Sequence, residues 1–581
     1  MALQGYPISE QNKSEALFGK RQKKTLEWLI ILFLSLFYSI AVLAQETGLE
    51  DLNYVAPSTF SPTIRDAVKF SDLPEIKDSV ARIKNIKYGI TSRPYFPKYE
   101  VQKIEAAKIQ NEPLNKLYRS LLKVGYGPIY NQPYAEFWVN NLRSRENNVG
   151  FHLKHYSGTP HLSGVGDGSF SDNEANLYGK KFYKKHTLFG ELNYRRNVVH
   201  YYGYDTSNYN TENSDFSKQR YQLIEPRLRL LSHYSDSTHV NHDIRVSYYN
   251  LDNLQKETEN NIKAEAYTSL FVNKEKLNLN LISDFYNHKQ KLDTLNNLIV
   301  TLNPSFEASG KKWFARVGLS ATLDDFKNKT RFYFYPEIYL HYNIYEDLIT
   351  PYAGVNGALI KNSFRSISST NPFVDSTLNY NNTNNKYNLF LGLRGNLSSK
   401  TAYDVKLTYS QFDNMAMYAI NFNDKNNLYN RFEMLYDNTS LLNLSGQLKY
   451  QLKEKINLIA KGNYYLYETK NLDYAYHRPD FDLTLTGLYN LNSKILVKAD
   501  LFFVGNQWAR TASIDTLGKP TYANKQLKGY FDANLGFEYR YSKMLSFFAR
   551  FNNIANQRYY RWDQYPSMRF HFMLGLTFVP F

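Results

Sequence analysis

The feature that most constrains this chain is an alternation of apolar and polar side chains that recurs from about residue 118 to 578. Each repeat runs for about ten to fifteen residues and ends in a turn. In one of them, Leu277, Leu279 and Leu281 alternate with asparagines. Because successive side chains of a β-strand point to opposite faces, the pattern predicts a long series of strands, each with one apolar face.

What the two faces contact decides the fold class. In a soluble sandwich or propeller the apolar face is the core, whereas in a transmembrane barrel it faces lipid and the polar face lines a lumen. Mean hydropathy is low, at −0.53, yet 16% of the residues are aromatic, including 51 Tyr and 37 Phe. Aromatic rings are enriched where a barrel wall crosses the two membrane–water interfaces. This composition is typical of a barrel, although alone it leaves a large soluble all-β protein open.

The connections between the predicted strands tend to alternate between two lengths, which favours the barrel. Tight connections lie near residues 184–185, 274–275, 345–346, 454, 492–493 and 542–543. Several of the connections between them are longer: 158 to 172, 204 to 218, 361 to 384, 507 to 526 and 555 to 568. Short turns on one side and long loops on the other are typical of outer-membrane barrels, with the short turns in the periplasm.

We therefore predict an all-β fold, a transmembrane antiparallel β-barrel of about 22 strands (22–24) preceded by a short irregular N-terminal segment. Counting every segment gives about 24 strands. Residues 415–437 form either two short strands or one folded loop, and the second interpretation lowers the count to about 22. An even number is expected, because both ends of the barrel should lie on the periplasmic side.

The N-terminal sequence predicts export. A basic cluster at residues 20–24 precedes an apolar run from Trp28 to about Leu43, which ends in small or slim residues up to Ala44. We interpret residues 1–44 as a cleaved signal peptide, with an uncleaved membrane anchor as the alternative. Residues 45–115 contain six prolines and short apolar patches. They are expected to form an extended periplasmic or lumen-lying segment, with the barrel itself at 116–581 in the outer membrane of a Gram-negative bacterium.

Composition excludes several classes of function. The chain has no cysteine, which removes thiolate metal sites, haem attachment and cysteine nucleophiles. The formal net charge of +16 comes from dispersed lysines and arginines, not from one patch. We therefore expect no nucleic-acid partner. We interpret the basic residues as lumen, rim and loop charges, with outer-membrane lipid as the surrounding partner.

No catalytic, cofactor-binding, metal-binding or ligand-binding residue is identified, and we expect that the chain is not an enzyme. His152 and His155 fall on opposite faces of a strand, so no metal site is predicted there. The glycine-rich stretch 164–168 lacks the Lys-Ser/Thr and the helix of a phosphate-binding loop, which indicates an external loop. The remaining candidates are interpreted as lumen wall, for Asp324, Asp325, Glu191, Arg195 and Arg196, or as an aromatic interface girdle, for Val199–Tyr204.

The segment Phe547–Trp562, FFARFNNIANQRYYRW, resembles the penultimate strand and loop of TonB-dependent receptors, in which an N-hydrophobic-x-N-x-x-Y element follows the strand. The preceding YFDANLGFEYR is similar, and the terminal aromatic Phe581 resembles the signal read by the barrel-assembly machinery, with one extra residue after the strand. The stretches KLYRSLLKVGYG and LYGKKFYKKHTLFGELNYRRNVVHYYGY look like those of short TonB-dependent-receptor-like proteins of the Bacteroidota. The resemblance implies an outer-membrane barrel that binds or takes up a ligand.

Two departures from this family limit what the resemblance implies. Only about seventy residues lie between Gln45 and Leu114, too few for the family's plug domain, and no convincing TonB box lies near Gln45. TonB coupling therefore has no support in the sequence. A wide barrel needs another filler, either a partner in the lumen or inward-folded loops such as 361–384.

We expect a receptor-like barrel for ligand binding or uptake, with a reduced or missing plug. The alternative is a plugless barrel that serves as a structural subunit of an outer-membrane assembly or secretion complex. Other outer-membrane proteins would then be its partners. Co-purification of such proteins would favour the alternative, whereas a TonB box hidden after Gln45 would favour transport.

Overall fold

The structure is a computed structural model that describes residues 118–580, apart from 143, 208–216, 237, 291–292, 346, 423–427, 454 and 515–519. Within these residues the elements are β1 (Ser120–Gly127), β2 (Gln132–Asn140), β3 (Asn147–Gly158), β4 (Phe170–Phe182), β5 (His186–His200), β6 (Lys218–Ser232), β7 (Asn241–Asn253), β8 (Thr258–Val272), β9 (Glu275–Lys289), β10 (Thr294–Ser309), β11 (Trp313–Phe326), β12 (Lys329–Tyr342), β13 (Thr350–Ile360), α1 (Phe364–Thr370), β14 (Thr383–Ser398), β15 (Thr401–Ile420), β16 (Phe432–Leu452), β17 (Ile456–Thr469), β18 (Phe481–Leu491), β19 (Ile495–Val504), β20 (Gln507–Ile514), β21 (Pro520–Leu527), β22 (Tyr530–Arg540), β23 (Leu545–Asn552), β24 (Tyr560–Trp562), β25 (Tyr565–Pro566) and β26 (His571–Phe578).

Twenty-two of these strands form one closed antiparallel barrel. Barrel strands pair in chain order, and β19 pairs with β22 because β20 and β21 form a separate hairpin. In the same way β23 pairs with β26 past the small hairpin of β24 and β25. β1 and β26 close the ring, with Leu122 opposite Phe578 and Tyr126 opposite Leu574. The predicted fold class and strand number are confirmed.

Residues 415–437, for which the sequence left two interpretations open, extend two neighbouring barrel strands. Met415–Ile420 ends β15, Phe432–Asp437 begins β16, and the two stretches pair with each other. A register shift between Phe412 and Met415 marks a β-bulge where this extension begins. Because the extension lengthens two strands and adds none, the barrel has 22 strands.

The two ends of the barrel differ in the length of their connections. At one end, which we call the short-turn end, the ten connections span two to eight residues, as at 183–185 and 453–455. At the other, the long-loop end, connections reach 361–382, 505–529 and 553–570. The predicted segregation is confirmed, although some connections at the long-loop end, such as 327–328, are also short.

The outward face of the barrel is apolar. In β9, Leu277, Leu279 and Leu281 are 48%, 48% and 45% exposed, whereas the inward-facing Asn278 is 8% exposed. On β12, Phe332 is 67% exposed. A belt of large apolar side chains that alternates with inward polar ones is the pattern of a wall that faces lipid. The apolar set of each strand therefore lies on the outside.

Among the described residues, no helix is long and apolar enough to cross a membrane. The predicted signal peptide, residues 1–44, and the predicted N-terminal segment, residues 45–115, lie outside the described part of the chain. Both stay predictions.

Candidate functional site

The connection between β13 and β14, residues 361–382, packs inside the long-loop end, and we call it the inner loop. It carries the helix α1, which begins with a capping box: Ser366 N donates to Ser363 Oγ at 3.3 Å, and Ser363 N donates to Ser366 Oγ at 2.9 Å. Asn371 and Pro372 end the helix, since proline has no N–H to continue it. Phe364 and Ile367, about one turn apart, are 0% and 2% exposed. The helix thus buries one apolar face.

Two ion pairs fasten the inner loop to one wall of the barrel. Arg365 donates from both terminal nitrogens to the two carboxylate oxygens of Glu225 in β6, at 2.9 Å each. Its guanidinium also lies 4.5 Å from the ring centroid of Tyr249 in β7. Lys361 Nζ lies 2.7 Å from Asp284 Oδ1 in β9. Bidentate and charge-assisted bonds of this kind are stronger and more directional than neutral ones.

Uncharged donors add to the same attachment. The carboxylate of Glu259 in β8 is fully buried and accepts from the backbone N–H of Phe364 at 2.7 Å. At the end of the inner loop, Asn382 Nδ2 donates to Asp324 Oδ1 in β11 at 2.8 Å. The inner loop is therefore held by side chains of strands that run from β6 to β11.

The inner loop also contacts residues at the ends of two strands that lie on opposite walls of the barrel. Val374 O accepts from the hydroxyl of Tyr201, directly after β5, at 2.9 Å, and Val374 forms a β-bridge with Phe432, the first residue of β16. β5 and β16 lie eleven strands apart in a ring of 22, on opposite sides. Asn430 strengthens the link, because its Nδ2 donates to Tyr201 O at 2.7 Å and its carbonyl accepts from the Tyr565 hydroxyl. These loops bridge the mouth of the barrel.

We call the bridging segments the loop cap: the inner loop with the described residues of 201–217, 421–431, 470–480 and 553–570. Phe373 of the inner loop stacks on Tyr565 with ring centroids 3.7 Å apart. Burial raises the pKa of Tyr201 to about 12, so its hydroxyl stays a neutral donor. Full burial of an apolar side chain contributes about 1.5–3 kcal/mol, so the cap is a packed structure. Its buried apolar residues come from loops and strand ends: Tyr221, Tyr249, Leu251, Leu295, Phe326, Phe364, Ile367, Val374, Leu378, Tyr380, Ile420, Phe432, Met434, Trp562 and Tyr565.

A histidine lies within this apolar core. His477 is 8% exposed, and its ring lies 5.3 Å from that of Phe432 and 5.1 Å from that of Trp562, between centroids. Burial lowers the pKa of His477 to about 4, although the nearby carboxylate of Asp563 acts in the opposite direction. The imidazole is therefore neutral at neutral pH, as its apolar surroundings require.

A cavity of about 500 Å³ lies between the loop cap and the wall formed by β22, β23 and β26. Aromatic rings and polar groups share its lining, a combination that suits a polar ligand with flat apolar faces. The residues that give it this character are Tyr202, Phe373, Tyr559, Trp562, Asp532, Asn534, Asn552 and His571.

The lumen wall carries charges of both signs in contact with each other. Glu191 Oε2 lies 3.5 Å from Arg227, and Arg195 pairs with Glu174. Arg196 is the next residue of β5 and lies on the opposite, outer face of the strand, so its interpretation as lumen wall is wrong. Asp324 contacts the inner loop, whereas Asp325 accepts from Thr330 at 3.1 Å. The two neighbouring aspartates therefore do not form a carboxylate pair.

The two histidines considered from sequence contact different partners. His152 stacks on Trp138 with centroids 3.6 Å apart, and its Nε2 lies 3.2 Å from Glu136. His155 Nδ1 lies 2.7 Å from Asn173 Oδ1. Over the described part of the chain, no group of three or more His, Asp or Glu side chains is arranged to hold a metal ion.

Of the two sequence-based interpretations of loop stretches, the structure agrees with one and contradicts the other. Residues 164–168 lie in the connection between β3 and β4, as the external-loop interpretation predicted. The interpretation of Val199–Tyr204 as an interface girdle is wrong, because Tyr201 is 1% exposed and Tyr202 packs edge-on against Tyr565 at 4.9 Å. The alternation ends where β5 ends, at His200, and the residues that follow belong to the loop cap.

No family model matches the sequence, and a search of curated proteins finds no significant match. Solved structures do match it. The pyoverdine outer-membrane receptor FpvA of Pseudomonas aeruginosa has a TM-score of 0.60 at 10% identity, over 80% of this chain and 79% of that chain. The FrpB iron transporter of Neisseria meningitidis has a TM-score of 0.62 at 9% identity, over 80% and 82%. The ferric enterobactin receptor PfeA of P. aeruginosa has 0.60 at 14%, over 79% of each. The chain has the fold of an outer-membrane receptor barrel.

Proposed function

We propose that this chain is a TonB-dependent-receptor-like outer-membrane barrel that binds or takes up a ligand, and that the inner loop is its gate. The receptor-like fold and the apolar outer wall support an outer-membrane location. One observation supports the gate: Val374 contacts Tyr201 and Phe432, which lie at the ends of strands on opposite walls of the barrel. A solute that passes through the lumen requires this bridge to open.

The cavity beside the loop cap suggests how a ligand opens the gate. Its lining includes Phe373 of the inner loop and Tyr565, the ring on which Phe373 stacks. A ligand that binds between these rings and the wall favours the open state only if it binds that state more tightly than the closed one. The paired charges of the lumen wall then offer partners of both signs to a polar solute.

A second candidate function has its own observation. The loop cap has a hydrophobic core that joins both walls, as expected of a barrel that stays closed. Such a barrel would serve as a structural subunit of an outer-membrane assembly or secretion complex, with the loop cap as a docking surface for other outer-membrane proteins.

Single-channel conductance in a planar bilayer separates the two functions. The gated receptor is expected to show brief openings under applied voltage, and Arg365→Ala should make them more frequent by releasing Glu225. Arg245→Ala is the matched control, since Arg245 pairs with Asp243 on the lumen wall and not with the inner loop. Deletion of residues 45–114 reports whether that segment also blocks the lumen. A barrel that stays closed in every form, and that co-purifies with other outer-membrane proteins, would refute the receptor in favour of the structural subunit.

A further inference from the structure

The short-turn end of the barrel carries a ring of exposed lysines. Seven of its ten turns contain lysine. These turns hold ten lysines in all, and every one of the ten is exposed. Six of them, from turns spread around the ring, are Lys184, Lys274, Lys311, Lys400, Lys453 and Lys543. In the described residues of the ten turns, the carboxylates are Glu146, Asp236 and Asp347. Basic side chains therefore dominate this end of the barrel.

The carboxylates at this end do not neutralise the ring. Glu146 lies 4.0 Å from Lys181, a strand residue, and Asp236 pairs with His239 in its own turn. Among the described residues, no ion pair joins any of the ten lysines to a carboxylate. At the long-loop end, some basic residues, such as Lys361 and Lys525, are ion-paired to carboxylates. Over the described residues, the short-turn end thus presents an excess of positive charge to its surroundings.

Exposed aromatic side chains place this ring at the edge of the membrane. Tyr183 is 56% exposed and directly precedes Lys184, and Trp313 is 44% exposed and directly follows Lys312. Tyr541, in a further lysine-bearing turn, is 67% exposed. Aromatic girdles mark the level of the lipid headgroups on a barrel wall. Because a lysine places its ammonium group several bonds beyond its backbone, the charges reach the headgroup phosphates.

We propose that the short-turn end binds the headgroups of anionic phospholipids in the leaflet around it. A lysine near an anionic membrane surface is stabilised by about 1 kcal/mol, which corresponds to about a fivefold change in an equilibrium constant. A zwitterionic headgroup has no net charge, so its attraction to a lysine is weaker. The lysine ring should therefore gather anionic phospholipid around this end of the barrel. This inference goes beyond the proposed function, because it applies equally to a receptor and to a structural subunit.

Lipid composition around the full-length protein tests the proposal. The protein is reconstituted in vesicles of phosphatidylethanolamine with a minority of phosphatidylglycerol, cut out in polymer-bounded discs and analysed by mass spectrometry. We expect phosphatidylglycerol to be enriched in the discs about twofold or more over the bulk vesicle. Raising the salt from 0.15 to 1 M, which shortens the Debye length from about 8 to about 3 Å, should reduce the enrichment.

Two quadruple variants of equal charge make the test specific to one end. The test variant replaces four lysines of the short-turn end by glutamine: Lys184, Lys311, Lys453 and Lys543. The control replaces four exposed lysines of the long-loop end: Lys256, Lys329, Lys470 and Lys528. The proposal expects the enrichment to fall towards the bulk ratio in the test variant alone, with both variants still showing the heat-dependent gel mobility of a folded barrel. Equal loss in both variants, or a bulk-like ratio around the unmodified protein, would overturn it, and an acidic protein partner would then be the better match for the lysines.

Discussion

Arg365→Ala is predicted to loosen the inner loop while leaving the barrel folded. Arg365 forms a bidentate pair with Glu225, whose side chain is 6% exposed, and it covers the ring of Tyr249. Removal of one partner of a fully buried ion pair costs about 3–5 kcal/mol. Here the Arg365 side chain is 31% exposed, and Arg227 remains 2.7 Å from Glu225. The cost should therefore be lower, about 2–3 kcal/mol.

This free energy corresponds to a shift of about 30- to 150-fold in the equilibrium between the closed and open inner loop. Hydrogen–deuterium exchange measures it directly, because exchange of closed amides follows the free energy of local opening. The amide of Ile367, bonded to Ser363 O, and that of Asn371, bonded to Ile367 O, should exchange faster by this factor. Amides of β9 should not change.

The matched control for this experiment is Arg245→Ala, which removes a lumen-wall arginine that does not contact the inner loop. Adding Glu225→Gln to Arg365→Ala should restore part of the protection, because the buried carboxylate that loses its partner is then uncharged. Unchanged exchange in the inner loop, or equal acceleration throughout the barrel, would refute the reasoning.

Three further predictions concern the loop cap. The pKa of His477 is lowered from 6.5 to about 4 in the folded cap, so the opened cap binds more protons between these two pH values. The stability of the cap should therefore be highest above pH 6.5 and fall as the pH drops to 4. His477→Gln should flatten this pH dependence, measured by hydrogen exchange of the inner loop. Phe432→Ala should cost the cap about 3–5 kcal/mol, because a fully buried ring is lost, whereas Phe332→Ala on the lipid-facing wall should leave inner-loop exchange unchanged. Lys361→Gln should cost about 1–2 kcal/mol by replacing a charge-assisted bond to Asp284 with a neutral one, measured by the same exchange.

The barrel was predictable because its signals are local. Alternation such as that of Leu277, Leu279 and Leu281 reports the two faces of one strand and needs no knowledge of distant residues. The segregation of connection lengths follows from an up-and-down path through a membrane. The sequence leaves the strand count open at 415–437, because a bulge interrupts the alternation there and the pattern alone does not distinguish a strand extension from a new strand.

The loop cap was only partly predictable. The length of the connection after β13 raised inward folding as one way to fill a wide lumen, and the structure confirms it for 361–382. The partners of that loop were not accessible from sequence, since Tyr201 and Val374 lie 173 positions apart. The interpretation of the tyrosines at 201–204 as an interface girdle fails because aromatic residues are common both at a membrane interface and in a buried core. No periodicity distinguishes the two settings outside a strand.

Accessibility of the lumen from outside the cell tests the closure of the barrel most directly. The chain has no cysteine, so Ser320→Cys in β11 gives a single reactive site. Ser320 lies on the lumen wall, where it accepts a hydrogen bond from Asn303 of the neighbouring strand β10 at 2.6 Å. Intact cells are treated with a bulky polyethylene glycol maleimide, and Ser163→Cys in the exposed loop between β3 and β4 serves as the accessible control. We predict that Ser320→Cys is protected in the full chain and labelled when residues 362–381 are replaced by a short Gly-Ser linker, while Ser163→Cys is labelled in both. Labelling of Ser320→Cys with the inner loop intact would contradict closure of the barrel by its own loops.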